Sequence, residues 1–320
     1  MRVLFAGTPP MAVPSLEKLA REVDVCAVLT APDEPAGRGK KLRAPPVKEA
    51  AVSLGIRVLQ PQSLDEAAHE EVRSLEPELL VVVAYGKIFR KAFLDLFPQG
   101  GINLHPSLLP KFRGPSPVTA AILAGDRETG ITVQKLARKF DSGDILAQTR
   151  VLLTGEETTG SLTDRLGLLG ADLLASVVRA FAEGCPPAAV PQVEEEATYC
   201  SIVRKEDGEV DWREPAAVIE RKVRAYDPWP RMRTSLDGAT LLLLKTRAHP
   251  DNLLDAAAAP DPGVVTAADR DHGILVRTGS GILEIERLQL QFRKPLDAKA
   301  FLAGRPDLRG ARLGGKAEVL

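Results

Sequence analysis

No property of this 320-residue chain narrows the choice of fold as much as the alternation of apolar runs and helix-like segments in its first 185 residues. The runs RVLFAG (2–7), DVCAVLTA (24–31), LLVVVAYG (79–86) and GINLH (101–105) are apolar over most of their length, not at every second residue. Such strands are buried on both faces, as in a mostly parallel sheet covered by helices on both sides. We therefore predict a Rossmann-like α/β domain, whose ligands bind beyond the carboxyl ends of the strands.

Segments with the spacing of amphipathic helices separate these strands. The clearest of them are VKEAAVSLG (47–55), SLDEAAHEEVRSL (63–75), KIFRKAFLDLF (87–97) and SLTDRLGLLGADLLASVVRAFAEG (161–184). The second begins at Ser63, a residue type that caps helices well. Two turns follow strands, at Tyr85-Gly86 and at His105-Pro106-Ser107. Since the carboxyl ends of parallel strands share one edge of the sheet, we expect both turns at that edge.

The character of the chain changes after Gly184. A Pro-rich and then charged stretch with little periodicity follows, and we predict that residues 186–205 form a linker. Beyond it, PAAVIERKVRAY (215–226) has helical spacing, and short strand-like pieces are broken by Asp-Gly, His-Gly and Gly-Ser-Gly. Strands at such spacing are typical of a small antiparallel barrel. The predicted organisation is one domain over 1–185 and a second over 206–320.

Composition and charge narrow the class of protein. Charged residues make up 27% of the chain and leave a net charge of -1, so the total charge demands neither nucleic acid nor membrane. The three cysteines, Cys26, Cys185 and Cys200, form no CxxC or Cys/His cluster, so we expect no metal site and no disulfide framework. No apolar run approaches the roughly 20 residues of a membrane span, and the N-terminus does not resemble a signal peptide. We expect a cytoplasmic protein.

Asn103 and His105 lie two residues apart at the end of one predicted strand, and FDSGDIL places Asp141 in a glycine-containing loop. A carboxylate beside an imidazole raises the pKa of the imidazole and fixes its orientation. An Asn amide can donate a hydrogen bond to a developing oxyanion. Together these groups can move an acyl group without a covalent enzyme intermediate. From the residues alone, a hydrogen-bonded strand end and a capped turn explain the pattern about equally well.

Two longer motifs resemble a known enzyme family. INLHPSLLPKFRGPSPV (102–118) closely matches the Asn-x-His, Ser-Leu-Leu-Pro and Arg-Gly signature of the 10-formyltetrahydrofolate-dependent formyltransferases. FDSGDIL is similar to the Asp-x-Gly signature of the same family. The resemblance covers nearly the whole chain. It implies that Asn103, His105 and Asp141 are catalytic, that 10-formyltetrahydrofolate is the formyl donor, and that no metal is required.

The same resemblance implies a binding site for the donor. The turn Ser107-Leu108-Leu109-Pro110 resembles part of the wall on the folate side. Tyr85 and Gly86 follow a neighbouring strand at the same predicted edge of the sheet, and we expect them to contact the donor as well.

Members of this family formylate purine precursors, amino sugars or methionyl-tRNA, and some hydrolyse formyl-folate. FAGTPPMAVPSLEKL resembles the opening of the branch that acts on methionyl-tRNA, and APDEPAGRGKKLRAPPVK (31–48) resembles the loop with which that branch contacts tRNA. Cations on a flexible Gly/Pro-rich loop suit phosphates and a splayed RNA end. The residues predicted to bind tRNA are Arg38, Lys40, Lys41 and Arg43.

The second domain resembles the same branch. RAYDPWPRMRT (224–234) is similar to the region that opens the OB-like domain of that branch. We therefore predict an OB-like, tRNA-binding domain over 206–320. The resemblance implies initiator methionyl-tRNA and the folate donor as partners and a role in translation initiation. We expect no membrane partner and a monomeric protein.

One departure from the family pattern and three alternatives bear on this interpretation. Ala137 and Lys139, on either side of Arg138, stand where the family more often has an acidic residue and glycine, so the backbone of the folate loop is expected to change. A formyl-folate hydrolase or an amino-sugar enzyme has no use for the basic loop. A nicotinamide-dependent oxidoreductase needs three glycines where AGTPPMA has one. A non-catalytic RNA-binding module leaves the residues Asn103 and His105 without a task.

Overall fold

The computed structural model describes residues 1–36, 41–250, 261–269 and 273–314, with the backbone only for Ala36 and Lys41. Contacts divide the chain into two compact units. The first unit comprises Met1–Val118, Arg127–Leu153 and Ser161–Ser201. The second unit comprises Thr119–Asp126, Thr154–Gly160 and Ile202–Leu320. None of the helices in the described ranges has the length and apolar character needed to cross a membrane.

The secondary structure alternates between strands and helices through the first part of the chain. Up to Ala182, the described residues form β1 (Arg2–Gly7), a 3-10 turn (Pro10–Ala12), α1 (Val13–Glu22), β2 (Asp24–Leu29), β3 (Glu34–Ala36), β4 (Lys41–Arg43), α2 (Pro46–Ser53), β5 (Val58–Leu59), α3 (Glu66–Arg73), β6 (Leu79–Val83), α4 (Lys91–Leu94), β7 (Gly101–His105), α5 (Pro117–Ala124), β8 (Glu128–Lys135), β9 (Ile145–Leu152) and α6 (Thr159–Ala182).

Beyond Ala182 the chain is first irregular and then mostly β. The described elements are two 3-10 turns (Glu194–Glu196 and Lys205–Gly208), α7 (Ala216–Ala225), β10 (Met232–Leu236), β11 (Ala239–His249), β12 (Val265–Asp269), β13 (Gly273–Arg277), β14 (Ile282–Leu290), β15 (Leu296–Asp297) and α8 (Ala298–Ala303).

Seven strands of the first unit form one sheet in the order β5-β2-β1-β6-β7-β8-β9. The strands from β5 to β7 are parallel, and β8 and β9 pair antiparallel at one end. The predicted α/β fold with a mostly parallel sheet is therefore confirmed. The chain passes from β1 to β2 and β5 on one side and returns with β6 and β7 on the other. Such a switch point places the ligand-binding crevice at the carboxyl ends of β1, β6 and β7.

One face of this sheet carries a continuous apolar core. Its buried members come from β1, β2, β5, β6 and α3 and from the segment around α4: Leu4, Ala6, Ala27, Leu29, Leu59, Val72, Leu80, Val82, Phe93 and Phe97. Each strand contributes alternate residues to this face, because successive side chains of a strand point to opposite sides.

The opposite face is covered in part by α6, which comes close to β7 at Gly170. A Cβ atom at that position would lie 2.7 Å from Cδ2 of Leu104, nearer than two carbon atoms can approach without a shift. Since Leu104 alternates with Asn103 and His105 along β7, α6 supports this strand from the side opposite to the two polar residues.

The two helices predicted over 63–75 and 87–97 begin three or more residues later than predicted. The helix predicted to begin at Ser63 begins at Glu66, because Asp65 is the residue whose side chain accepts a hydrogen bond from the backbone N–H of Ala68, at 3.1 Å. The Ser63 hydroxyl instead donates to Asp65 Oδ2, at 2.7 Å. Asp65 is therefore the capping residue, and the hydrogen bond from Ser63 orients its carboxylate.

The helix predicted over 87–97 is reduced to α4 because Arg90 has an extended backbone, with φ -77° and ψ 159°. The spacing of four between its aromatic residues resembles a helical pattern. In the structure that spacing belongs to a ladder in which Tyr85, Phe89 and Phe93 stack, with ring centroids 5.4 and 5.3 Å apart. A periodic apolar pattern of this length does not by itself distinguish a helix from stacked rings on an irregular segment.

The second unit contains an antiparallel sheet in the order β10-β11-β14-β13-β12, with β15 paired to β14 and α7 packed against β11 and β14. The predicted antiparallel domain is confirmed. The predicted closure into a barrel is not found within the described ranges, where β10 and β12 remain the two edges of the sheet. A barrel closes only when its edge strands pair with each other.

Candidate active site

β7 presents Asn103 and His105 on the same face of the sheet, because side chains two residues apart on a strand point the same way. Asn103 is half-buried and lies opposite Gln134 of β8, whereas His105 is only 4% exposed and lies opposite Thr132. Nε2 of His105 is 2.9 Å from the carbonyl oxygen of Phe112. A carbonyl oxygen only accepts, so Nε2 carries a hydrogen and donates it.

The loop after β8 brings Asp141 to this pair. Oδ1 of Asp141 lies 3.6 Å from Nδ1 of His105 and accepts a hydrogen bond from Nε2 of Gln134 at 3.0 Å. Oδ2 accepts a hydrogen bond from the backbone N–H of Gly114 at 2.9 Å. Burial lowers the pKa of His105, and the Asp141 carboxylate opposes that shift by favouring the imidazolium. The three residues predicted to be catalytic are thus brought together at one end of the sheet.

Two glycines leave the space that this geometry requires. A Cβ atom on Gly114, whose φ is 119°, would overlap the carbonyl oxygen of Cys200, and one on Gly143 would overlap the carbonyl oxygen of Lys135. Asp141 itself has a φ of 49°, in the left-handed region that non-glycine residues seldom adopt. The Arg-Gly and Asp-Ser-Gly motifs of the sequence therefore have a steric cause in the backbone around the carboxylate.

The turn predicted to face the folate is held by hydrogen bonds within the turn and to β8. The Ser107 hydroxyl donates to the carbonyl oxygen of Lys111 at 2.5 Å, and the Thr132 hydroxyl donates to the carbonyl oxygen of Ser107 at 2.7 Å. Ser107 and Leu109 are buried, and Leu108 and Pro110 are half-buried. The Ser107 hydroxyl is therefore used within the turn, and the accessible surface belongs to the other pair.

Tyr85 and Gly86 follow β6, and Gly86 helps to line a cavity of about 570 Å³ together with Lys87 and Arg90. The Tyr85 ring stacks on Phe89, and within the described part of the chain its buried hydroxyl has no hydrogen-bond partner. Burial raises the pKa of Tyr85 to about 12. The hydroxyl thus keeps its proton at neutral pH and is an unsatisfied hydrogen-bond donor.

The basic loop is only partly described. Arg38 and Lys40 lie outside the described residues, as does the side chain of Lys41. Arg43, at the end of β4, is exposed, and β3 and β4 pair antiparallel on either side of the loop. A further cation of the segment, Lys48, is bound to both carboxylate oxygens of Asp33 at 2.8 and 2.7 Å.

The departure at Ala137 to Lys139 lies on the surface. All three residues of this stretch are exposed. Lys139 is not among the described residues with a positive φ, so it occupies the place of the family's glycine without the conformation that glycine allows. The positive φ of this loop falls on Asp141 instead.

Sequence reasoning missed a third part of the site, the segment that follows α6 and that we predicted to be a linker. Val190 exchanges two backbone hydrogen bonds of 2.8 Å with Ile145, immediately after the Asp141 loop. Further along, the backbone N–H of Arg113 donates to Thr198 and the carbonyl oxygen of Arg113 accepts from Cys200, both at 2.8 Å. Residues 190–200 therefore form backbone hydrogen bonds to both the Arg-Gly motif and the strand after the Asp141 loop, although their sequence has no periodic pattern.

Arg113 is the side chain around which this segment is organised. It is 1% exposed, and its guanidinium donates to Oε1 of Gln192 at 3.0 Å, to Oε2 of Glu194 at 2.8 Å and to the Tyr199 hydroxyl at 3.1 Å. The hydrogen bond from Arg113 lowers the pKa of Glu194. The Arg-Gly motif was the only sequence signal for this cluster, since nothing in the sequence singles out Gln192.

An amide, an imidazole and a carboxylate converge at the carboxyl edge of a mostly parallel sheet. Groups of this kind stabilise an oxyanion and move protons, so fold and site define an α/β enzyme of the acyl-group transferase class.

Comparison with known proteins identifies the family. The family model described as formyl transferase matches residues 1–178, and the model of the formyl transferase C-terminal domain matches residues 202–306. The chain is 45% identical over 315 residues to the methionyl-tRNA formyltransferase of Treponema denticola, covering 96% of this chain and 98% of that protein. It is 44% identical over 318 residues to the protein of the same name from Roseiflexus castenholzii, covering 98% of this chain and 99% of that protein. The chain belongs to the formyl transferase family, as its motifs predicted.

Solved structures with little sequence identity share the fold. The N-formyltransferase of Helicobacter canadensis, solved with folinic acid and dTDP-3-aminofucose, has a TM-score of 0.63 and 17% identity, over 88% of this chain and 98% of that chain. A second structure, the sugar 3N-formyltransferase WlaRD with dTDP and 5-N-formyl-THF, has a TM-score of 0.65 and 14% identity, over 92% of this chain and 99% of that chain.

Proposed function

We propose that this protein transfers the formyl group of 10-formyltetrahydrofolate to the α-amino group of initiator methionyl-tRNA. The observation that carries the proposal is the approach of Asp141 to His105 beside Asn103, with Oδ1 and Nδ1 3.6 Å apart. It occurs in a chain that is 45% identical, over nearly its whole length, to a protein named methionyl-tRNA formyltransferase. The family membership supports a folate-derived donor.

In the proposed reaction, the α-amine attacks the formyl carbon that is bonded to N10 of the donor. A carbon–nitrogen bond forms and the formyl oxygen becomes an oxyanion. Asn103 and protonated His105 donate hydrogen bonds to that oxygen, and Asp141 stabilises the imidazolium through its charge. The bond from the carbon to N10 then breaks, the attacking nitrogen loses a proton, and N10 takes one up. No bond between enzyme and substrate is needed.

The hydrogen bond between His105 and Phe112 has to be exchanged in this mechanism. Nε2 of His105 donates to the Phe112 carbonyl oxygen, at 2.9 Å, so this nitrogen reaches the formyl oxygen only when that contact opens. Phe112 has a φ of 58°, a sparsely populated conformation for a residue with a side chain. We propose that substrate binding moves the Phe112 carbonyl and places the formyl oxygen on Nε2.

The cavity beside β6 is the proposed site of the donor. Its volume of about 570 Å³ lies in the range of small-molecule sites. Arg90, which lines the cavity, supplies a cation for the carboxylates of the folate tail. Tyr85 does not line the cavity but precedes Gly86, which does, and its unsatisfied hydroxyl is a further proposed hydrogen-bond donor to the folate. Leu108 and Pro110 are the half-buried apolar residues of the turn after β7.

The basic loop is the proposed contact for the tRNA. Arg43 is exposed, and Arg38, Lys40 and Lys41 precede it in the sequence. Cations on such a loop attract the phosphate backbone in a salt-dependent manner. Because a phosphate contact weakens binding without altering the reacting groups, we expect charge reversal in this loop to raise KM for the tRNA far more than it lowers kcat.

Acid-gel or mass-spectrometric detection of formyl-methionyl-tRNA tests the proposal. The wild-type protein, the loop variant Arg38→Glu and the matched control Arg21→Glu, at an exposed position on α1, receive 10-formyltetrahydrofolate and initiator methionyl-tRNA. We expect product from wild type and from the control and little product from Arg38→Glu. Free formate or a formylated small amine, without formyl-methionyl-tRNA, would contradict the proposed acceptor and assign the chain to another branch of the family.

A further inference from the structure

The side-chain amide of Gln192 makes several hydrogen bonds to and around the loop that carries Asp141. Its Nε2 lies 2.9 Å from the carbonyl oxygen of Asp141 and 2.7 Å from that of Gly143. The same nitrogen lies 3.3 Å from Oε1 of Gln134, and Oε1 of Gln192 accepts from Nε of Arg113 at 3.0 Å. One amide thus joins the buried arginine of one motif to the backbone of the other.

The partners of Gln192 and Gln134 agree on how each amide is oriented. A guanidinium only donates, so the amide oxygen of Gln192 must face it and the amide nitrogen must face the loop carbonyls. That nitrogen also donates to Oε1 of Gln134, which leaves the nitrogen of Gln134 to face Oδ1 of Asp141 at 3.0 Å. Each amide is therefore oriented from both sides, Gln192 by Arg113 and the loop carbonyl oxygens, and Gln134 by Gln192 and the Asp141 carboxylate.

We propose that Gln192 and Gln134 are positioning residues that hold the Asp141 carboxylate against His105, with Arg113 anchoring the Gln192 amide. The proposal rests on the proposed function, because it assigns a task to Asp141 in formyl transfer. Neither glutamine needs to contact a substrate, because both act through the aspartate.

The loop that carries Asp141 depends on such contacts, because the residues before Asp141 are exposed to solvent and Asp141 has an uncommon backbone conformation. Asp141 has a φ of 49°, and the preceding residues Arg138, Lys139 and Phe140 are exposed. On the carboxylate itself, Gln134 holds Oδ1 and the backbone of Gly114 holds Oδ2. A displacement of about 1 Å in such a group can cost on the order of 10²-fold in rate, so the contacts that hold the loop bear directly on turnover.

The variants Gln192→Glu and Gln192→Met separate the two halves of this contact. Glutamate still accepts from Arg113 but cannot donate to the carbonyl oxygens of Asp141 and Gly143. Methionine has a similar length and removes both interactions. Gln289→Glu is the matched control, because Nε2 of that glutamine also donates to a backbone carbonyl oxygen, that of Arg293 at 2.7 Å, in the second unit.

Three readings are taken for each variant: kcat and KM in the formylation assay, the pH dependence of kcat, and the titration of His105 by NMR. We expect kcat to fall roughly 10- to 100-fold in both Gln192 variants, with both KM values changed less than about threefold and the melting temperature near that of wild type. In Gln192→Met the carboxylate is held less firmly near the imidazole, so His105 titrates at lower pH and the alkaline fall of kcat moves the same way.

The outcomes are distinguishable from failure of the proposed function. If wild type makes no formyl-methionyl-tRNA, the acceptor assignment fails, and the NMR titration of His105 in Gln192→Met still tests the positioning. An unchanged His105 titration in a folded Gln192→Met variant overturns the inference, as does a kcat within twofold of wild type in Gln192→Glu. If Gln192→Met does not fold, Gln192→Glu, in which Arg113 keeps its partner, decides the matter by its kcat and its pH profile.

Discussion

The turns that follow β6 and β7 lie at the same edge of one sheet, and they use their polar groups in opposite ways. At the end of β7, Nε2 of His105 donates to Phe112 and the Ser107 hydroxyl donates within its turn, and both oxygens of Asp141, which the loop after β8 brings to this turn, accept hydrogen bonds. After β6, the buried Tyr85 hydroxyl has no partner among the described residues. The polar groups around the first turn are satisfied internally, whereas the second turn has a buried donor without a partner.

This difference fits the two tasks proposed above, chemistry at the end of β7 and donor binding after β6. A group that takes part in chemistry is effective only when it is held in place before the substrate arrives, because ordering it during the reaction would raise the barrier. A buried polar group without a partner costs free energy, typically about 1–3 kcal/mol, and a ligand that pairs with it recovers that cost. Changes after β7 should therefore act mainly on turnover, and changes after β6 mainly on binding of the donor.

The largest effect is expected from His105→Ala. Loss of a group that stabilises the oxyanion and moves a proton should lower kcat by about 10²- to 10⁴-fold, with little change in KM for the donor. Steady-state kinetics of the purified variant measures this. His249→Ala is the matched control, because Nε2 of that histidine also contacts a carboxylate, Glu284 at 2.6 Å, in the second unit. An unchanged formylation rate in a folded His105→Ala variant would remove His105 from the mechanism.

Asp141→Asn should lower kcat by roughly 10²-fold and shift its pH dependence. Burial already lowers the pKa of His105, and the aspartate charge is the first influence that opposes this. Without that charge the pKa falls further. Because the proposed mechanism uses the protonated ring, the alkaline fall of kcat should then move to lower pH. A kcat-against-pH series checks the sign, and a shift to higher pH would contradict the assigned protonation state.

Gly143→Ala should disturb the catalytic loop and the stability together. The added methyl group would overlap the carbonyl oxygen of Lys135, which is backbone and cannot rotate away. We expect unfolding to become easier by about 1–3 kcal/mol and kcat to fall at least about tenfold. Chemical denaturation and kinetics measure the two. Gly304→Ala is the control, since its nearest neighbour would be Phe301 O at 3.7 Å, and a Gly143→Ala variant as stable as this control would refute the steric argument.

Tyr85→Phe should have the smallest effect and should separate the two turns most clearly. Removing a buried hydroxyl without a partner should leave stability unchanged or raise it by up to about 1 kcal/mol. If the donor uses that hydroxyl, KM for the donor rises several-fold while kcat stays within about twofold. Thermal unfolding measures the stability, and formylation rates at increasing donor concentration give KM and kcat. A fall in kcat without a change in KM would mean that the β6 turn also takes part in the chemistry.

Much of the fold and part of the site were accessible from the sequence, because they depend on local patterns. Continuous apolar runs separated by helical spacing determined the parallel sheet, since buried strands and amphipathic helices each follow from short stretches of residues. The motifs around Asn103, His105 and Asp141 could be identified because the strand end, the turn and the glycine are each encoded within a few residues.

The tertiary structure decided the features that depend on contacts between distant residues. It moved the start of α3 to Glu66 and shortened α4, and it hydrogen-bonded the segment predicted to be a linker to both motifs of the candidate site. Gln192 lies 51 residues from Asp141 in the chain, within a segment that has neither periodicity nor a motif. The role of Gln192 depends on Arg113 and on the loop carbonyl oxygens. These groups are far from it in the sequence and come within hydrogen-bond distance only when the chain folds, so no local pattern marks Gln192.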